Sequence, residues 1–214
     1  MKKPIIGIST RIVSPKNYEE KRDAISHDLV SILDKLGLNP ILIPNNLLST
    51  KNFLDQLNFS GFIISGGDNI GEFPQRDKTE TIMLEYASKK NLPILGICRG
   101  MQIINDFFGG DIVKTSTPNH VNTSHNINIE NSSNYKIFNL NSIEVNSFHN
   151  NIINSNILGD NLDPFAIADD KTIEGFYHKT LPIMGVMWHP ERSQNKNNKQ
   201  LLKKVFQDSN FWKC

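Results

Sequence analysis

Four short apolar runs, at residues 4–9, 40–43, 61–65 and 93–97, are separated by stretches with helical spacing. This feature most restricts what the chain can fold into. Runs of four to six residues that are apolar at successive positions suit strands buried on both faces, as in a parallel sheet. The intervening segments, at 26–36, 50–57 and 78–90, read as helices, the third placing Ile82, Met83, Tyr86 and Ala87 on one side. A β-α-β-α order implies right-handed crossovers and a sheet covered by helices on both faces. Functional groups in such sheets gather at the carboxyl ends of the strands. Here that rule singles out Ser65-Gly66-Gly67-Asp68 and the segment 96–100.

Beyond the helix expected from Arg99 the texture changes. Gly109-Gly110-Asp111 reads as a turn, and 111–145 contains alternating stretches such as Asn126-Ile127-Asn128-Ile129-Glu130, which suggest half-exposed, partly antiparallel strands. Further strands are expected at 164–168, 172–177 and 182–188, with Asp169-Asp170-Lys171 as a hairpin turn, and a helix at 199–207. With no internal repeat and no linker, residues 1–214 read as one α/β domain. A net charge of +1 argues against a general affinity for nucleic acid or anionic membranes. No apolar run reaches the roughly 20 residues that cross a bilayer. Two cysteines, Cys98 and the last residue Cys214, do not make a disulfide framework, and a reducing cytoplasm fits best. Cys214 is read as having no role.

Gly96-Ile97-Cys98-Arg99-Gly100 ends an apolar run and has the G-x-nucleophile-x-G form of a nucleophile elbow. A helix starting at Cys98 would stabilise its thiolate through unpaired N–H groups and the helix dipole. A plain buried cysteine is the competing reading. His189 is the base candidate, because Val186-Met187-Trp188-His189-Pro190-Glu191 puts it past a strand end with Glu191 two residues on. Pro190 stiffens that step, so Glu191 could orient the imidazole; a turn after a strand is the alternative. Adjacent Gly66 and Gly67 could expose N–H groups to an anion, with a plain turn again the rival. His120 and His125 have the closest spacing among the histidines and fall in an expected loop, facing solvent or substrate.

Taken together, GICRGMQIIN and GVMWHPE resemble the class I glutamine amidotransferase-like family, and within it the free-standing γ-glutamyl hydrolases. The likeness runs through Gly66-Gly67-Asp68, Arg76-Asp77-Lys78-Thr79-Glu80, the segment 93–102, Asn105, Gly109-Gly110, the segment 144–150 and Trp188-His189-Pro190-Glu191, in family order. It implies a flavodoxin-like fold with a central, mostly parallel sheet flanked by helices and a small antiparallel extension. It also implies a Cys98-His189-Glu191 triad that cleaves γ-glutamyl amides through a γ-glutamyl thioester, with His189 as general base and then acid. The N–H groups of Gly67 and Arg99 would form the oxyanion hole. Gln102 would help hold the glutamyl group, and Asn146, Ser147, Phe148 and His149 would meet its α-amino and α-carboxylate end.

The sequence departs from the family at Met187, where glutamine is more usual, and in a short loop after Gly66-Gly67. Its compact size is similar to that of the γ-glutamyl-CDP-amidate hydrolases, which implies release of glutamate and cytidine diphosphoramidate for capsule modification. Arg76, Arg99, Lys114, His120 and His125 are then the cations or potential cations available to a pyrophosphate, with solvated surface positions as the default reading. A γ-glutamyl-γ-aminobutyrate-type hydrolase, or a glutaminase subunit feeding ammonia to a partner synthase, are the other readings. No metal or organic cofactor is required by such a mechanism. The expected partner is a small γ-glutamyl molecule, not nucleic acid or membrane, with a homodimer left open.

Overall fold

The computed structural model describes residues 3–114, 120–130, 137–193 and 195–212. The elements run β1 (Ile5–Ser9), β2 (Arg11–Val13), β3 (Arg22–Ala24), α1 (His27–Lys35), β4 (Asn39–Ile43), α2 (Thr50–Asp55) and β5 (Phe59–Ile64). They continue with α3 (Pro74–Lys90), β6 (Ile94–Ile97), α4 (Arg99–Phe107), β7 (Val113–Lys114), β8 (Thr123–Ile129), β9 (Ser142–Ser147) and β10 (Asn151–Ile152). The last are β11 (Leu162–Ala168), β12 (Ile173–His178), β13 (Ile183–Val186) and α5 (Lys196–Gln207). Cys214 and part of the segment 111–145 lie outside the described residues. Among those residues no helix is long and apolar enough to cross a membrane.

One nine-stranded sheet, ordered β4-β1-β5-β6-β13-β12-β11-β8-β9, runs through the molecule. From β4 to β13 every neighbouring pair is parallel. Counted along the chain, those five strands have the order 2-1-3-4-5, the flavodoxin-like arrangement. The sheet then continues through four strands paired antiparallel. Buried side chains form one cluster on each face, around Phe165 and Trp188 on one and around Phe62 and Met101 on the other.

Three expectations are corrected by packing. β4 is an edge strand, so Leu42 is exposed and the run at 40–43 is not buried on both faces. α3 begins four residues before the predicted start, with Pro74 at its first turn, where a missing N–H costs nothing. The inward face of that turn is Arg76, Thr79 and Glu80, so apolar periodicity does not report it. α5 likewise begins earlier, at Lys196, where Asn195 caps it by accepting from the Asn198 N–H. The short hairpin of β2 with β3 carries no apolar alternation, so no pattern in the sequence marks it.

Candidate active site

The elbow forms because β6 must turn sharply into α4. Cys98 sits between them at φ 52° and ψ −109°, a left-handed backbone that side-chain-bearing residues avoid unless the surroundings impose it. Gly100 permits the turn, since a Cβ there would fall 1.9 Å from the carbonyl oxygen of Ile64. The Cys98 N–H donates to the Val186 carbonyl at 2.8 Å, tying the elbow to β13.

β13 leads directly to the base. His189 Nδ1 lies 2.7 Å from Glu191 Oε1, and both side chains are buried. Burial alone would lower the pKa of His189. The hydrogen bond with Cys98, the hydrogen bond with Glu191 and the charges of both reverse this and raise it to about 9. At neutral pH the imidazole is therefore protonated and poised to donate. Gly66 closes the triangle: a Cβ on it would sit 2.9 Å from His189 Cε1 and 3.5 Å from Cys98 Cβ, so only glycine fits.

Cys98, His189, Glu191, Gly66, Gly67 and Phe148 line one small cleft of about 130 Å³ with Arg11 and Arg192. The ring of Phe148 stands edge-on to His189 at 5.8 Å and carries the Arg192 guanidinium 4.4 Å from its centroid. Arg99 is the first residue of α4, so its N–H has no acceptor within the helix.

The cation expectation is overturned for both arginines, which are buried. Glu80 accepts from Arg76 Nε at 2.8 Å and also pairs with Arg99, which reaches Asp77 as well. Ser9 Oγ donates to Glu80 at 2.8 Å. Arg76 further donates to the carbonyls of Ser65 (2.8 Å) and Gly66 (3.0 Å) and pairs with Asp68 at 3.1 Å. The Arg76-Asp77-Lys78-Thr79-Glu80 motif thus bolts the Gly66-Gly67 turn to the elbow, and neither arginine is free for a phosphate.

The segment 146–149 divides by strand alternation. Asn146 grips the His189 backbone from both sides, its Oδ1 accepting the His189 N–H at 2.8 Å and its Nδ2 donating to the His189 carbonyl at 3.0 Å. Phe148 faces the cleft, whereas Ser147 and His149 turn into the protein and are not in its lining. Gln102 is also buried, its Nε2 3.6 Å from Met187 Sδ, and does not line the cleft. His125 lies on β8 instead of in a loop, and His120 is buried; both stand beside Glu174 of β12. Lys114 is exposed on β7. The signal for Asn146 was its place in the motif, but its role depends on the sheet bringing β9 beside His189. Arg11 carried no signal of this kind.

The profile of the peptidase C26 family matches residues 4–191. The chain is 32% identical over 208 residues to the γ-glutamyl-CDP-amidate hydrolase of Campylobacter jejuni, covering 94% of this chain and 96% of that protein. It is 33% identical over 177 residues to a glutamine-hydrolysing GMP synthase component of Thermoplasma acidophilum, covering 80% of this chain and 81% of the other. The crystal structure of a glutamine amidotransferase from Thermotoga maritima superposes with a TM-score of 0.66 at 15% identity, covering 97% of this chain and 84% of that one, a likeness of fold.

Proposed function

The chain belongs to the peptidase C26 family, and on that premise we propose how its residues share the work and which γ-glutamyl amide it cuts. It is a hydrolase acting on amide bonds, of the glutamine amidotransferase-like kind that cleaves γ-glutamyl amides. Cys98 attacks the γ-carbonyl carbon as the thiolate, its proton already on His189, and the oxyanion is held by the N–H groups of Gly67 and Arg99. His189, already protonated, gives its proton to the departing nitrogen, the C–N bond breaks and a γ-glutamyl thioester remains. His189 then takes a proton from water, whose oxygen attacks the thioester and releases glutamate and Cys98. Glu191 fixes the imidazole and supports its charge throughout. The observation that carries this reading is the buried contact of Cys98, His189 and Glu191 in one cleft.

The substrate we favour is γ-glutamyl-CDP-amidate, yielding cytidine diphosphoramidate. The similarity to the Campylobacter hydrolase over nearly the whole of both chains supports it. So does the cleft, which offers Arg11 and Arg192 to a pyrophosphate and the exposed Phe148 ring to a base. Gln102 acts on the glutamyl group only through Met187, which it touches. The unbroken sheet fits a single hydrolase domain, and a cytoplasmic setting suits a reduced Cys98. The test is kcat/KM for γ-glutamyl-CDP-amidate, glutamine and γ-glutamyl-γ-aminobutyrate, a ratio that reports transition-state discrimination. The CDP-amidate should lead. A clear preference for glutamine overturns this substrate and favours the ammonia-supplying role.

A further inference from the structure

Away from the cleft, three histidines converge on one buried carboxylate. Glu174 on β12 has no exposed surface, and neither carboxylate oxygen has a hydrogen-bond partner. His120 Nδ1 stands 3.6 Å from Oε1, His149 Nε2 stands 3.5 Å from the same oxygen, and His125 Nε2 stands 3.7 Å from Oε2. None of these contacts is a good hydrogen bond. A carboxylate taken out of water is held best by direct hydrogen bonds, and at those distances no donor makes one to Glu174.

The outer partners of two rings settle which nitrogen carries the proton. His120 Nε2 lies 2.7 Å from Asp170 Oδ2, and His149 Nδ1 lies 2.9 Å from the Asn151 carbonyl oxygen. Both of those partners are acceptors, so each nitrogen facing them bears the N–H. In the neutral rings the bare lone pairs, on His120 Nδ1 and His149 Nε2, then point at a carboxylate oxygen. Acceptor faces acceptor, an arrangement that a cation between them would relieve. Metal-binding histidines are held this way, with the second ring N–H given to a carboxylate or a backbone carbonyl.

Spacing and access agree with that reading. One donor atom from each of His120, His125 and Glu174 lies within 4.8 Å of the other two. Zinc bonds of about 2.0–2.1 Å at tetrahedral angles separate ligand atoms by roughly 3.3–3.4 Å, so the set closes with small side-chain shifts. A second cavity of about 330 Å³, lined by His120, His125 and Asp170 among others, gives an ion a path in. None of the three histidines, nor Glu174, lines the Cys98 cleft.

We propose that His120, His125 and Glu174, with His149 beside the same carboxylate, bind a divalent transition-metal ion of the zinc class. Two imidazoles and one carboxylate suit that class better than calcium or magnesium. The ion is structural: it joins β8 to β12 and braces the segment that carries Asn146 and Phe148 to His189. It takes no part in the proton transfers.

The test is direct metal binding by the whole chain. Protein stripped with a chelator and dialysed is titrated with Zn²⁺ by calorimetry and with Co²⁺ by visible absorption. One equivalent per chain is expected, with the intense bands of a four-coordinate Co²⁺ site and a higher Tm on Zn²⁺ loading. His125→Ala and Glu174→Gln should weaken binding at least about 100-fold, and Asp170→Asn about 10-fold, while Cys98→Ala binds like the parent. Circular dichroism confirms that each variant is folded. If Glu174→Gln does not fold, His125→Ala and Asp170→Asn carry the same discrimination. Substoichiometric uptake, or uptake indifferent to these substitutions, or uptake lost in Cys98→Ala, overturns the proposal.

Discussion

The two sides of the cleft are braced in opposite ways, each around a fully buried glutamate. On the nucleophile side, Glu80 is saturated by Arg76, Arg99 and Ser9, and the arginines also reach Asp68, Asp77 and the carbonyls beneath Gly67, with Arg99 Nε left unpaired. On the base side, Glu174 is ringed by histidines at distances that satisfy none of its oxygens. Burial would raise the pKa of Glu174, but the nearby imidazoles of His125 and His149 outweigh this and lower it to about 2, so it is ionised. The contrast teaches that a buried charge is a fixed strut when its partners are permanent cations with matching geometry. It is an adjustable one when its partners titrate or bind ions.

The sharpest cut separates chemistry from bracing altogether. Cys98→Ala should lower kcat/KM for any γ-glutamyl amide by about 10⁴-fold or more and cost stability only through its lost contact with His189, since neither glutamate network includes the thiol. Glu80→Gln should do the reverse. It leaves two buried guanidiniums short of one negative charge, at a cost of about 3–5 kcal/mol in unfolding free energy by urea titration. Destabilisation well below that range would mean the nucleophile side is as adjustable as the base side.

Glu191→Gln probes the base. His189 has its pKa raised to about 9 from an ordinary 6.5, so its contribution to stability is complete below about 6.5 and fades as pH rises through 9. Activity that needs the imidazolium should fall on the same alkaline limb. Removing the Glu191 charge should move that limb toward neutral pH and cost about 10²–10⁴-fold in kcat, read from a pH–rate profile. An unmoved alkaline limb would assign that limb to another group.

Much of this was legible in the sequence, and the boundary of legibility is physical. Strands β1, β5 and β6 are apolar on both faces, so composition alone marks them. Cys98, His189 and Glu191 are chemically rare side chains held by glycine and proline, whose backbone constraints are visible in one dimension. The Arg76-to-Glu80 motif was visible, but the fate of its charges was not, because a solvated arginine and a fully buried one are the same letter. The i,i+4 spacing of Arg76 and Glu80 was the available hint. The histidine cluster was hidden more deeply. His120, His125, His149 and Glu174 meet because β9, β8, β11 and β12 lie side by side as antiparallel neighbours, with shifts of register between β11 and β12, and that order is not written in local pattern.

Asn146→Ala, the mildest change, tests whether the base side is adjustable in the way the comparison requires. Asn146 gives His189 two backbone hydrogen bonds, and these hold the chain direction at the point where β13 ends and Pro190 begins. Its removal leaves the His189 side chain with its Glu191 and Cys98 partners but frees the backbone beneath it. A buried N–H left unpaired costs about 1–3 kcal/mol, so the folded state should weaken by that order. The catalytic loss should be about 10-fold, appearing in kcat more than in KM, because the imidazole would sample off-line orientations while the glutamyl contacts persist. Asn146→Asp keeps the acceptor for the His189 N–H and should recover part of the stability. If Asn146→Ala instead raised KM with kcat unchanged, the residue would belong to the substrate contacts and not to the bracing of the base.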